Sequence, residues 1–336
     1  MTVSTLTNIW LLSLILLLSG CQLPYLVSGA FEQVRILNSR QKIEKTIENV
    51  AITPQTKAKL EFSIEAKEFA ASNGLTCKKN FDTYVELGRP YVSYLVIASK
   101  KNEVKPKKWW FPIVGSFPYK GYFSKGKALA AAKTLDSKDY DTYTRGVTAY
   151  SSLGWFKEPI LSSMLKGDKY SLAKTIFHEC FHTTFFIKNN TEANERLAVF
   201  FAHHFMVEFL EHLNDFKQKE KELLSWKDSK EFTLFLEKTI KDSIKYYRNH
   251  TDREALFSNI QTNYVEELKP LLKVNNYDYI FLKGLNNAKL AAFKTYFHKF
   301  NFLEETLSSD FNGDIFAYLT KIKSLEGRKE KTDFFN

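Results

Sequence analysis

The chain has 336 residues, enough for one large domain or two moderate ones with a sizeable core. Apolar residues make up 44% and charged residues 26% of it, a balance that excludes an intrinsically disordered chain. The net charge of +10 is scattered through helical segments, densest at Lys105, Lys107 and Lys108 beside Trp109 and Trp110. With no nucleic-acid motif beside it, attraction to an anionic envelope surface is the expected use of that charge, and no nucleic-acid partner is expected.

At the N-terminus, Leu11 to Leu18 is an uncharged apolar run, too short to span a bilayer comfortably and suited to the apolar region of a signal peptide. It ends in Leu18-Ser19-Gly20-Cys21, which resembles a bacterial lipobox. Small residues before the cysteine suit a peptidase cleft, and the thiol supplies the nucleophile for lipid transfer. No Lys or Arg precedes the run, so an uncleaved anchor helix is the alternative. Both readings place the remainder outside the cytoplasm as a membrane-anchored protein, in the outer membrane or periplasm if the cell is Gram-negative. Residues 1–20 are then a signal peptide, 21–30 a lipidated tether and 31–336 a single domain. With Cys21 consumed by lipid, Cys77 and Cys180 remain. An oxidising compartment permits a disulfide, but Cys180 sits inside a helical motif and a buried free thiol is the expected state.

Residues 31–50 read as an amphipathic helix, with Phe31, Val34, Ile36, Ile43 and Ile47 among its apolar positions. Thr53-Pro54 starts the next helix, which buries Leu60, Ile64 and Phe69 and closes at Gly74. Tyr84–Leu87 and Tyr91–Ala98 are rich in aromatic and β-branched residues and predict a hairpin or two adjacent strands across Gly88-Arg89-Pro90. Trp109–Tyr122 carries Pro112, Gly115, Pro118 and Gly121 and reads mostly as loop. A short alanine-rich helix over Lys125–Leu135 and a strand over Tyr143–Trp155 follow. From residue 170 the pattern is helical. One helix spans Ser171–Phe186, a second starts at Thr191 and runs past His212, and a third is marked by Phe232, Phe235, Leu236, Ile240 and Ile244. Thr251-Asp252-Arg253-Glu254 matches a capping box, and two more helices fall near 287–300 and 313–325. The expected fold class is α+β and mostly helical: a small mixed sheet within about 80–160 and many helices within about 170–325.

His178-Glu179-Cys180-Phe181-His182 carries the chemistry. Zinc hydrolases need two neutral imidazoles on one face of a rigid element, and residues four apart on a helix meet that need. Glu179 lies beside them as a general base, in the manner of HExxH zinc peptidases. A third ligand is expected on the next helix. Glu195 would return beside the histidines if the Lys188-Asn189-Asn190 turn folds the two helices antiparallel. Glu192 competes, although an acidic residue in a first turn often only favours the helix dipole. His203 and His204 lie further on and are expected to pack or hydrogen-bond in the core.

Several stretches together resemble the bacterial putative aminopeptidase family of zinc-dependent envelope lipoproteins. They are Leu18-Ser-Gly-Cys21 with Tyr25-Leu-Val-Ser-Gly29, Phe111-Pro-Ile-Val-Gly115 with Tyr119-Lys-Gly-Tyr-Phe123, Arg145-Gly-Val-Thr-Ala-Tyr-Ser151 with Leu153-Gly-Trp-Phe156, the His178–His182 motif, Asn194-Glu195, and Leu285-Asn-Asn-Ala288. The resemblance implies zinc as cofactor, a peptide as substrate, a zincin-like fold and Glu195 as third ligand, as in the gluzincins. In well-understood gluzincin aminopeptidases a strand before the motif carries a glutamate that anchors the substrate amine. Gly146-Val-Thr-Ala-Tyr150 sits at a comparable distance without one, and Val199 stands where those enzymes carry a histidine-orienting acid. The Gly146–Ser152 strand could pair with an extended peptide, making Gly146, Ala149 and Ser151 candidate substrate contacts, or could be interior to a sheet. Tyr150 and Tyr296 are candidate hydrogen-bond donors to an oxyanion. Arg145 contacts a carboxylate or only caps the strand. The alternatives to an aminopeptidase are an endopeptidase or wall-peptide hydrolase on the same chemistry, or a noncatalytic zinc-binding envelope lipoprotein.

Overall fold

The computed structural model describes residues 23–111, 115–149, 156–188, 190–294 and 300–325. They are mostly helical, with small sheets, in an α+β arrangement. Residues up to Arg40 and those from Gln41 onward form two separate compact units.

The described part of the first unit is helix α1 (Leu23–Asn38). This corrects the single helix expected over 31–50. The helix starts earlier and stops at Asn38, where Ser39 donates its N–H and its hydroxyl to the Arg35 carbonyl and Arg40 donates to the Leu37 carbonyl. Those bonds satisfy the terminal carbonyls that a continuing helix would have used.

The second unit begins with β1 (Gln41–Lys42), the short α2 (Ile43–Ile47) and α3 (Pro54–Ser72), whose N-cap Thr53 accepts from the Thr56 N–H. Three strands were expected in its middle, and seven form among the described residues. They are β2 (Thr83–Val85), β3 (Ser93–Lys100), β4 (Trp109–Phe111), β5 (Gly115–Phe117), β6 (Lys120–Tyr122), β7 (Tyr140–Val147) and β8 (Ile160–Leu161), with α4 (Lys125–Asp136) between β6 and β7. The hairpin expected from β2 and β3 does not form. β2 lies between β1, antiparallel, and β8, parallel, whereas β3 pairs antiparallel with β6 and β7. Gly88, at φ +63°, and Pro90, which has no N–H to give a ladder, turn the chain from one sheet into the other. The loop expected over 109–122 holds β4 and β5 as an antiparallel pair from Trp109↔Phe117 to Phe111↔Gly115. Phe111 and Phe117 face each other at 6.2 Å between ring centroids, the kind of cross-strand aromatic pair that offsets the local prolines.

The order β6-β3-β7 leaves β7 at an edge of its sheet among the described residues. Ala128 and Ala132 of α4 pack against Val96 on one face. The other face carries Tyr143, 6.1 Å from Phe293 of α10 (Asn287–Lys294). Asp141 accepts from Arg253 and from the Asn287 N–H, which fastens the start of β7 to the helical part.

Helices α5 (Lys169–Thr184) and α6 (Thr191–His212) form the centre of that part. Phe181 stacks on Phe201 at 4.7 Å, and Phe177 meets Phe205 at 6.0 Å and Phe209 at 5.7 Å. Contacts that run backward along one helix as they run forward along the other make the pair antiparallel. Phe69 of α3 closes over Phe177 and Phe209. Truncating any one of the fully buried Phe177, Phe181, Phe201, Phe205 and Phe209 would cost about 3–5 kcal/mol, so the seam is stiff. Around it lie α7 (Phe216–Asn249), α8 (Arg253–Asn263), the short α9 (Asp278–Phe281), α10, α11 (Phe300–Phe311) and α12 (Ile315–Ser324). The capping box shifts by one residue: Asp252 caps α8, accepting from the Ala255 N–H at 3.0 Å, and a carboxylate serves there at least as well as the Thr251 hydroxyl.

Candidate metal centre

Helix α5 is fixed before it reaches its histidines. Asp168 caps it, accepting from the Ser171 N–H at 2.7 Å. Lys59 of α3 donates to the Leu165 and Gly167 carbonyls just upstream, at 2.7 and 2.6 Å. One turn separates His178 from His182, so both rings leave the same side of a helix locked on its other faces by phenylalanines. Their Nε2 atoms lie 3.1 Å apart.

The polar turn after α5 returns the chain. Asn190 caps α6, accepting from the Ala193 N–H at 3.1 Å. The neighbouring Asn194 is buried, and its amide both accepts from the Ile187 N–H and donates to the Ile187 carbonyl, each at 2.8 Å. This two-way clamp fixes the turn to the first turn of α6, and the next residue is Glu195. Its Oε2 lies 3.3 Å from His178 Nε2 and its Oε1 lies 3.7 Å from His182 Nε2. Asn194→Ala would strand two buried backbone groups, at a cost of about 1–3 kcal/mol each. We expect it to weaken metal binding about 10–100-fold although Asn194 touches no ligand atom, as loss of an orienting partner does. Competition against a chromophoric chelator measures this, and an unchanged affinity would remove Asn194 from the support of the site.

Among the described residues His178, His182 and Glu195 form a group able to hold a metal ion. The fit can be tested on their spacing. A tetrahedral ion bound at about 2.0–2.1 Å by N and O ligands separates those ligands by about 3.4 Å. His178 Nε2 lies 3.1 Å from His182 Nε2 and 3.3 Å from Glu195 Oε2, both near that spacing, and His182 Nε2 lies 3.7 Å from the other carboxylate oxygen, Oε1. The donor set, two imidazoles and a carboxylate, suits zinc.

The electrostatics agree. Burial, with the neighbouring His178, takes His182 down to about 4 against the pull of Glu195, so its ring is neutral with a lone pair to give. Burial alone would raise the Glu195 carboxyl, but the His178 hydrogen bond and the charges of His182, His178 and Arg145 hold it below its usual range. Burial alone would lower His178, yet the hydrogen bond to Glu195 and the charges of Glu195 and Glu179 lift it above its usual value. His178 therefore holds its proton to higher pH than a free imidazole does, on the side that faces Glu195. Uptake of zinc should expel it, and affinity should fall about tenfold per pH unit as pH drops below the raised pKa of His178. Calorimetric titration in two buffers of different ionisation enthalpy reads the proton count, and a count of zero would contradict this assignment.

Glu179 is buried beside the group, close enough for its charge to raise His178. Glu192 stays outside the group and acts electrostatically on the buried Arg196. His203 stacks on Trp226 at 4.2 Å and meets Glu222 Oε1 at 2.7 Å; burial takes it down to about 3. Lys174 of α5 donates to the same Glu222, and His204 lies 3.5 Å from Glu304. Gly146 pairs with Tyr94 in the ladder, and a Cβ on it would lie 2.3 Å from the Tyr91 ring, so its missing side chain makes room for that ring. Ala149 lies just past β7 and is half-buried. Arg145 faces the same way as Tyr143, and its charge reaches Glu195. Tyr150, Ser151, Tyr296 and Cys21 lie outside the described residues.

One expectation is overturned outright. Cys77 and Cys180 are not free thiols; they form a disulfide with Cα atoms 4.6 Å apart. The segment after α3 docks on the second half of α5, where the Thr76 N–H donates to Thr184 Oγ1 at 2.7 Å and Asn80 donates to Thr183 Oγ1 at 3.4 Å. That docking sets the two cysteines face to face. Two residues past His178, Cys180 points to the far side of the helix from the imidazoles, so the bond braces the site without entering it. The sequence signals for these supports were slight: a pair of leftover cysteines, and an asparagine beside the third carboxylate.

Residues 24–334 match the family model described as a putative aminopeptidase. No curated protein and no solved structure matches the chain.

Proposed function

The chain belongs to the putative aminopeptidase family, and from that premise we propose that it is a zinc-dependent peptide hydrolase with a zincin-like fold, held at the cell envelope by a lipid on Cys21 and trimming peptides from their N-terminus. The observation that carries this reading is the convergence of His178 Nε2, His182 Nε2 and the Glu195 carboxylate, each within 3.7 Å of the next, with Glu179 beside them.

Zinc held by these three ligands supplies Lewis acidity, bringing the pKa of a water to about 7 and polarising a carbonyl oxygen. Glu179 takes the proton from the attacking water and returns it to the leaving amine nitrogen. The edge of β7 offers backbone N–H and C=O groups to an extended peptide, with Gly146 on the strand and Ala149 just past it, and Ser151, outside the described residues, is the third proposed contact. Arg145 holds positive charge beside this track and helps keep Glu195 ionised. Tyr150 and Tyr296 are the donors proposed for the oxyanion.

A second reading has an observation in its favour. β7 carries no glutamate to anchor a substrate amine, which suits an endopeptidase or wall-peptide hydrolase on the same chemistry. One experiment addresses both: digestion of a peptide library with and without a chelator, with each peptide supplied as the free and the acetylated amine. The expected result is release of single residues from free amines only, lost on chelation and restored by zinc. Internal cleavage of acetylated peptides would favour the second reading, and chelator-resistant cleavage would defeat both.

A further inference from the structure

A helix that meets water normally turns its polar side outward. Helix α1 does the reverse. Val27, Phe31 and Val34 are 59%, 69% and 54% exposed, and Ala30 is exposed beside them. At spacings of four and three residues they form a single stripe about 10 Å long. The polar Ser28, Glu32 and Gln33 lie off that stripe around the helix.

We propose that this stripe lies in the interface of a lipid bilayer, so that the protein touches its membrane through α1 in addition to its N-terminal anchor. The proposal rests on the envelope-anchor reading of Leu18-Ser19-Gly20-Cys21. The described part of helix α1 starts at Leu23, two residues after Cys21 in the sequence. Two extended residues reach no more than about 7 Å. Whether Cys21 carries lipid or the uncharged run Leu11 to Leu18 stays attached, the start of α1 is held at the bilayer surface. A second copy of the chain or a soluble partner has no such constraint in its favour. None of the described helices is long and apolar enough to cross a membrane, and the proposal lays α1 along the surface. Arg35, half-exposed at the border of the stripe, and Arg40 beyond it suit anionic headgroups.

The test uses the full chain in the membranes of a bacterial host, with photoreactive p-benzoylphenylalanine in place of Phe31 or, off the stripe, in place of Glu32. After illumination, phospholipid adducts at position 31 should exceed those at position 32 about tenfold, as expected for a face buried in the acyl boundary. Equal yields at the two positions, or a position-31 product that is a second copy or another protein, would overturn the proposal. Labelled palmitate tests the anchor separately: label should enter the wild-type chain and be absent from Cys21→Ser. If no label enters and the chain stays in the soluble fraction, the anchor reading fails alone. The same crosslinking is then read on vesicles of zwitterionic and anionic phospholipid, where lipid adducts at 31 sustain the role of α1 and their absence ends it.

Discussion

Glu179→Gln is expected to keep the metal and to lower peptide turnover by about 10²–10⁴-fold, the range lost with a positioned general base. Glutamine has the shape of glutamate, so a buried side chain can be exchanged without opening a cavity in α5. The three ligand atoms belong to other residues and stay in place. What disappears is the ability to take a proton, an interaction made only as the water attacks, so the loss should fall on kcat with little change in KM. A further sign is specific to this site. The charge of Glu179 helps to raise His178, and its removal lets His178 shed its proton more readily. Metal should therefore bind the variant at least as tightly as the wild type below neutral pH. Metal content by atomic absorption and turnover on a single peptide measure the two halves. A metal-loaded variant within a few-fold of wild type would rule Glu179 out as the base.

Replacing both Cys77 and Cys180 with alanine should remove about 4–5 kcal/mol of stability, from the entropy returned to an unfolded loop of about 100 residues. The native bond spans a sequence separation of 103. Against a total of about 5–15 kcal/mol for a typical domain, that leaves a chain close to unfolding. The double variant is the informative one, because a single substitution leaves an odd thiol buried in the core. Metal affinity should fall with stability, since the second half of α5 must be formed for His182 to present its ring. Denaturant titration with zinc present, with and without a reductant, measures both. A double variant within about 1 kcal/mol of wild type, well short of the loop-entropy value, would mean the bond contributes little to the fold.

The parts that could be read from the sequence are those whose cause is local. The Thr53-Pro54 start of α3, the helix carrying His178 and His182, and the start of α6 near Thr191 all follow from caps and from the spacing of apolar side chains within a few turns. Glu195 followed as well, because a short turn between two helices leaves few places for the chain to go. What escaped depends on partners distant in sequence. Strand propensity shows that Thr83–Val85 is extended, but its ladder to Ile160–Leu161 is decided by where α4 and β7 pack. The disulfide is equally nonlocal. Helix α7 was visible only in its second half, because its first turns are rich in lysine and glutamate and leave mainly Glu222 and Trp226 facing inward. Asn194 was invisible as a clamp because its partner is a backbone, and a backbone carries no sequence signal.

The Cys77–Cys180 bond closes a covalent ring. Every strand from β2 to β8 lies inside it, together with α4 and the half of α5 that carries His178. A protease that cuts anywhere between the two cysteines therefore releases nothing. The nicked molecule keeps both histidines on one covalent body, runs at full mass on a non-reducing gel and splits only when reductant is added. The chain gains tolerance of proteolytic damage from this bond, and a purified sample checked without reductant could carry such a cut unseen.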